Sequence, residues 1–163
     1  ALVFSPQWGR LADRVGNKPI LEITTIGAGT LLPLTWLLAT PSNLWPIWLS
    51  GVIDALIWGA IGPAQFNLAL SSAPRENRAS FIAVLSAVTG LAGFIGGVLS
   101  GVLLSGFASL GTVTLLFGYQ WTAYHWLIVF SALLRTQAWR FLRGLNEDNA
   151  WRTRDVLNWK LWR

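Results

Sequence analysis

Long apolar stretches broken by short polar intervals dominate this chain. A helix needs about 20 mostly apolar residues to cross ~30 Å of hydrocarbon. Four stretches reach that length: residues 19–40, 46–73, 80–105 and 121–141. Pro41-Ser42-Asn43 closes the first and Pro74 the second, because proline cannot continue the helical hydrogen-bond ladder. Residues 106–120 are apolar but rich in Gly and Thr, and read as a turn with some helical content. The pattern predicts an all-α membrane protein of about four transmembrane helices. It divides the chain into a leading segment (1–18), a transmembrane region (19–141) and a tail (142–163).

Composition agrees with the pattern. The 163 residues are 53% hydrophobic and 12% charged, whereas a soluble domain carries about 25% charge. Eleven Trp and sixteen Gly are also in keeping with membrane helices. The absence of Cys excludes a disulfide framework and a thiolate metal site made by this chain, and a single His excludes a histidine cluster. There is no Met. The opening Ala1-Leu2-Val3-Phe4, stopped by Ser5-Pro6, reads like the tail of an apolar helix and predicts a segment of a longer protein.

The cations fix an orientation. Arg10, Arg14 and Lys18 precede the first span, and Arg75 and Arg78 lie between the second and third. Arg135, Arg140, Arg143, Arg152, Arg154, Lys160 and Arg163 stand at the end of the fourth span and beyond it. The connections 41–45 and 106–120 have none, so all twelve Lys and Arg fall on one side of a four-span arrangement. Loop cations are retained in the cytoplasm, which predicts that both ends of the chain are cytoplasmic. A basic nucleic-acid-binding protein could share the net charge of +5. It would not segregate its cations between uncharged spans, so no nucleic-acid partner is expected.

The loop before the first span reads Gly9-Arg10-Leu11-Ala12-Asp13-Arg14-Val15-Gly16-Asn17-Lys18-Pro19. Its glycines permit a tight turn between antiparallel helices. Asp13 can accept from a following helix N-terminus or pair with a loop arginine. The loop resembles G-x-L-a-D-R-x-G-r-k, the signature of the major facilitator superfamily, with Asn17 standing where that pattern carries a basic residue. Residues 67–79, from Asn67-Leu68 to Arg75-Glu76-Asn77-Arg78-Ala79, are similar to the loop between the tenth and eleventh helices of bacterial members. Residues 124–135, opening Tyr124-His125-Trp126, resemble a twelfth helix. The signature occurs in both halves of such transporters, so helices three to six are the other placement. The second span lacks the arginine usual in a fourth helix and a basic tail follows the last span, which favours a C-terminal-half fragment of about helices nine to twelve.

The resemblance implies a fragment of a secondary active or facilitative transporter of small solutes working by alternating access. Its signature loop (Gly9, Asp13, Arg14, Gly16, Lys18) would act as a conformational latch. It implies a bacterial inner (plasma) membrane, with the lipid bilayer, the N-terminal part of the same transporter and a small-molecule substrate as partners. A proton or cation is the candidate coupling species. A membrane-embedded assembly, pigment-handling or accessory protein on the same scaffold is the alternative. No cofactor, metal site or enzymatic activity is expected: the chain shows no phosphate-binding Gly loop, catalytic carboxylate pair or Ser/His/Asp set.

Within the spans, Asp54 is the one carboxylate far from the ends. A charge in hydrocarbon costs at least ~2.5–3.5 kcal/mol and so normally faces a cavity or partner. Ser50, Gly51, Asp54, Trp58, Gly62, Gln65 and Ser72 follow helical spacing along one face. In the family the tenth helix lines the central cavity, so this face resembles a substrate wall. Ser50, Asp54, Trp58 and Gln65 are its candidate substrate and ion contacts. Gly90, Gly93, Gly97 and Gly101 form a small-xxx-small stripe suited to close helix packing. Glu22, near Lys18, reads as stabilising the start of the first span, and His125 as an interfacial or pH-responsive side chain. Pro33 and Pro63 are expected to kink their helices. The tail interleaves cations with Trp139, Trp151, Trp159 and Trp162, and is expected to lie on an anionic leaflet or to bind a partner.

Overall fold

The computed structural model describes residues 4–115, 119–147 and 150–158. In chain order the elements are α1 (Ser5–Val15), α2 (Asn17–Leu37), α3 (Trp45–Ser72), α4 (Arg78–Ala108), β1 (Val113–Thr114), β2 (Gln120–Trp121), α5 (Ala123–Arg143) and α6 (Thr153–Val156). The tail residues Trp159, Lys160, Trp162 and Arg163 lie outside the described residues, as do Ala1, Leu2 and Val3.

The chain forms two compact units, one of residues 1–72 with 132–163 and one of residues 73–131. In the first, Gly16 separates α1 from α2. Its φ of +92° ends one helix and re-aims the chain into the next. The α2–α3 connection is a tight turn in which Thr40 and Asn43 exchange both backbone hydrogen bonds, at 3.1 and 3.0 Å. Pro41 and Ser42, at its apex, are residues that favour such turns. Both α2 and α3 continue through their internal prolines, Pro33 and Pro63.

The core of this unit lies where α3 packs on α2. Ala60, Ala64 and Leu68, at successive fourth positions, meet Ile20 and Leu21 of α2, with Val15 of α1 and Val156 of α6. Ala28, Leu32 and Ile57 continue the contact. Small side chains allow this approach. A Cβ on Gly27 would stand 3.3 Å from the Ile57 Cδ1, and one on Gly29 would stand 2.9 Å from the Thr136 Cγ2 of α5. Close packing of small residues replaces hydrophobic drive between helices in lipid. The buried hydroxyls are satisfied within their own helices: Thr24 donates to the Ile20 carbonyl and Thr35 to the Leu32 carbonyl, each at 2.7 Å.

In the second unit, α4 runs for 31 residues and buries none of them. Residues 106–120, expected to be a turn, hold the end of α4 and then a short antiparallel pair, with Val113 opposite Trp121 and Thr114 opposite Gln120. Three described helices are long and apolar enough to cross a membrane: α2, α3 and α4. The expected fourth, α5, is as long as α2 but is not among them. Its apolar run covers 126–134, and Arg135, Gln137, Arg140 and Arg143 follow.

Candidate functional site

The face of α3 opposite α2 carries most of the predicted stripe. Asp54, Gln65, Gly51, Gly62 and Ser72 are exposed and Trp58 is half exposed, while Ile57, Ala60, Ala64 and Leu68 are buried on the packed face. Ser50 does not join the stripe. It is buried, and its hydroxyl donates to the Ile47 carbonyl at 2.7 Å. At 100° per residue Ser50 sits at the border between the two faces, and packing draws it inward. Asp54 makes no hydrogen bond or ion pair with any described residue. The arrangement therefore presents a free carboxylate one helical turn from an indole face and about three turns from an amide. Such a set can hold a cation by charge and its apolar body by stacking.

The loop between α1 and α2 is built differently from expectation. Asp13 and Arg14 are exposed and pair with no described residue. The acceptor at the α2 N-terminus is instead Glu147, from the segment after α5. Its carboxylate accepts from the Asn17 backbone N–H at 3.0 Å, the Asn17 side-chain amide at 2.9 Å and the Lys18 backbone N–H at 2.7 Å. Asn17 Oδ1 accepts in turn from Asn67 of α3 at 3.3 Å. Lys18 Nζ donates to the Arg143 carbonyl at 3.2 Å and the Leu145 carbonyl at 2.5 Å. Partial burial by itself would raise the Glu147 carboxyl. The Lys18 N–H, the Asn17 side chain and N–H, and the Lys18 charge outweigh it, and the net shift is downward from the usual glutamate value.

Residues 150–156 are docked as well. The Trp151 N–H donates to the Val15 carbonyl at 2.9 Å. The Thr153 hydroxyl donates to Glu22, whose carboxylate is buried and lies 4.0 Å from Lys18 Nζ. Val156 completes the core beside Val15. Residues 144–147 and 150–158 thus form a strap across the start of α2, rather than a wholly solvated or membrane-lying tail. Its Trp151 and Arg152 are exposed. Sequence reasoning missed Glu147, Trp151 and Thr153 as contributors. One signal was available: Glu147-Asp148 is an acidic pair within an otherwise mostly basic tail. Gly9 has open space around it, while Gly16 meets Ala150 closely. A Cβ on Gly90, Gly93, Gly97 or Gly101 would meet nothing within 4 Å, so the predicted packing stripe on α4 is open.

These features define a helical integral membrane protein with apolar helices, one of which carries an exposed polar and aromatic stripe. The sequence model of the Major Facilitator Superfamily matches residues 1–161, and the chain belongs to that superfamily of membrane transporters. Over 107 residues it is 32% identical to the tetracycline resistance protein, class E, of Escherichia coli, covering 66% of this chain and 24% of that protein. Over 103 residues it is 35% identical to the tetracycline resistance protein, class H, of Pasteurella multocida, covering 63% and 24%. Over 124 residues it is 33% identical to the multi-drug resistance efflux pump PmrA of Streptococcus pneumoniae, covering 72% and 28%. The chain spans about a quarter of the length of these relatives. No solved structure matches it at comparable stringency.

Proposed function

We propose that this chain supplies about helices nine to twelve of a secondary transporter that exports small, drug-like solutes by alternating access. The stripe on α3 carries the reading: Asp54, Trp58 and Gln65 are exposed on a helix whose other face is packed. A lone carboxylate on an apolar helix is costly unless it faces a cavity or a partner. Beside an aromatic face it suits a cationic or proton-exchanging substrate site. The relative named as a multi-drug resistance efflux pump supports export as the direction, and together with those named for tetracycline resistance it supports drugs as the solute class.

In this reading α2, α3 and α4 are three spans and α5 is a fourth. Arg140 and Arg143 reach the interface from the end of α5, as long cationic side chains do near helix ends. The one-sided cations support a cytoplasmic position for both ends of the chain, in a bacterial inner membrane. The loop residues Asp13 and Arg14, paired with no described residue, face the cytoplasm as the latch. The remaining part of the transporter supplies the other wall of the cavity, since such sites form between repeats.

The test is export by the full-length protein in a drug-sensitive bacterial host, read as accumulation of tetracycline and of a lipophilic fluorescent cation. Asp54→Asn at equal membrane level is expected to cut export of the cation at least about tenfold, the worth of one charge-assisted contact. Undiminished export by Asp54→Asn would remove Asp54 from the mechanism. Failure of the intact wild-type protein to export either probe would turn the reading toward an accessory membrane protein.

A further inference from the structure

The start of α5 holds a polar cluster with no part in the stripe or the strap. His125, in the first turn, is engaged on both ring nitrogens. The Thr122 backbone N–H donates to Nδ1 at 3.0 Å, and the Thr122 hydroxyl lies 2.9 Å from the same atom. Tyr119 Oη lies 2.9 Å from Nε2. The His125 backbone N–H donates to the Thr122 carbonyl at 3.0 Å. A backbone N–H can only donate, so Nδ1 is the bare nitrogen. The ring is therefore neutral, with its proton on Nε2 and directed at the Tyr119 oxygen. A side chain in the first helical turn here reaches back to the N–H that precedes the helix. This is half of a capping box, a part ordinarily played by Glu or Gln.

The ring also sits among aromatics. Its centroid is 5.0 Å from that of Trp121 and 5.4 Å from that of Tyr119, and Trp126 meets Trp121 edge-on at 5.5 Å. Trp121 belongs to β2, whose partner β1 follows α4. One imidazole therefore ties the β1–β2 pair to the helix after it.

We propose that His125 is a proton-operated clasp on this hairpin. Neutral, it caps Thr122 and holds β2 against α5. Proton uptake at Nδ1 converts the acceptor into a donor that faces another donor, and the Thr122 N–H must be released. The Thr122 hydroxyl can turn and offer a lone pair; the N–H cannot. The charged ring is still favoured beside Trp121, because a cation is attracted to an indole face. The second state thus has a stacked imidazolium and an uncapped helix start.

The surroundings leave His125 to respond alone. Between Arg78 and Arg135 the sequence has no Asp, Glu, Lys or Arg. Tyr119, from the hairpin, is the titratable group against the ring, and burial pushes its phenol up, so it remains protonated. On α5 the neighbouring Tyr124 is exposed. Arg135 is ten residues on, about 15 Å along the helix, and α4 contributes no charged group after Arg78.

Hydrogen exchange on the full-length protein in lipid vesicles tests this at pH 7.5 and 5.5. Rates are corrected for the intrinsic pH dependence of exchange. Protection of the 120–125 backbone is expected to fall roughly five- to tenfold at the lower pH, the worth of one hydrogen bond. His125→Gln, which offers a carbonyl oxygen to Thr122 and does not titrate, is expected to keep the high-pH protection at both values. Equal protection of the wild-type segment at the two pH values overturns the clasp, with no variant needed. So does a drop that persists in H125Q. Sealed vesicles acidified on one face then separate the clasp from the orientation proposed above. A response to acid on the extracytoplasmic side supports both, a response to the other side supports the clasp and overturns the orientation, and a response to neither overturns the clasp.

Discussion

Replacing Gly16 by Ala would place a Cβ 2.7 Å from the Ala150 Cβ, at a backbone φ of +92°. Two independent costs meet there, the left-handed conformation and the collision with the strap. Gly16→Ala is expected to lower the stability of the purified full-length protein by about 2–4 kcal/mol in a thermal melt. Adding Ala150→Gly should recover the collision but not the conformational part, which separates the two. Glu147 carries a different argument. Glu147→Gln keeps an acceptor but loses the charge at the α2 N-terminus, and should cost about 1 kcal/mol. Because the folded-state carboxyl is held below its usual value, its contribution is present above the ordinary glutamate value of ~4.3 and fades as pH falls below it. The gap in melting temperature between wild type and Glu147→Gln should therefore be full at pH 7 and shrink progressively as pH falls below the ordinary glutamate value. A gap independent of pH would show that packing, not charge, makes the contact. The sequence made Gly16 legible, since a loop glycine between two helices is a local signal. It did not make Glu147 legible. The partners are 130 positions apart, and nothing in the spacing of a tail carboxylate reports which helix start it reaches.

At the scale of elements, the apolar periods located α2, α3 and α4 to within a few residues because length and composition alone decide whether a helix can cross lipid. The same pattern was less informative for α5. A window average treats Arg135 and Arg140 as interruptions, yet their placement in the second half of the helix puts them near its end. The stripe on α3 was legible for the same reason that its border was not. A period of 3.6 residues assigns faces, but Ser50 lies at an edge where the neighbour decides. The contact that decides it is α2 against α3, and its small residues are the sensitive positions. Ala60 and Ala64 are 1% and 2% exposed. Ala64→Leu inserts three heavy atoms into that seam and should destabilise the protein by about 1–3 kcal/mol. Ala55, only partly buried on the same helix, should accept Leu at much less cost. Equal melting temperatures for the Ala64 variant and wild type would mean that the α2–α3 seam is looser than its burial indicates.

At the scale of the whole molecule, α4 is the helix with the most uncovered surface to account for. It presents Val84, Val88, Leu91, Phe94, Ile95, Val98 and Val102 as exposed side chains, with four glycines along one side and no buried residue. Lipid satisfies apolar side chains as well as a protein partner does, so exposure alone says nothing against a membrane setting. The glycines are harder to assign to lipid. Each lowers helix stability relative to Ala, and at 100° per residue Gly90, Gly93, Gly97 and Gly101 cluster within a narrow arc. That arc is useful where another helix comes close, which in a transporter built from repeats is where one half slides on the other. If so, Gly97→Leu should leave membrane insertion of the full-length protein unchanged while lowering its melting temperature in detergent, by the equivalent of about 1–3 kcal/mol. Export in the full-length protein should fall with it. Leu99, on the opposite face, should tolerate Phe in the same assays. Unchanged stability and export in Gly97→Leu would place the glycine arc against lipid, and the half-to-half contact would then have to be sought on another helix.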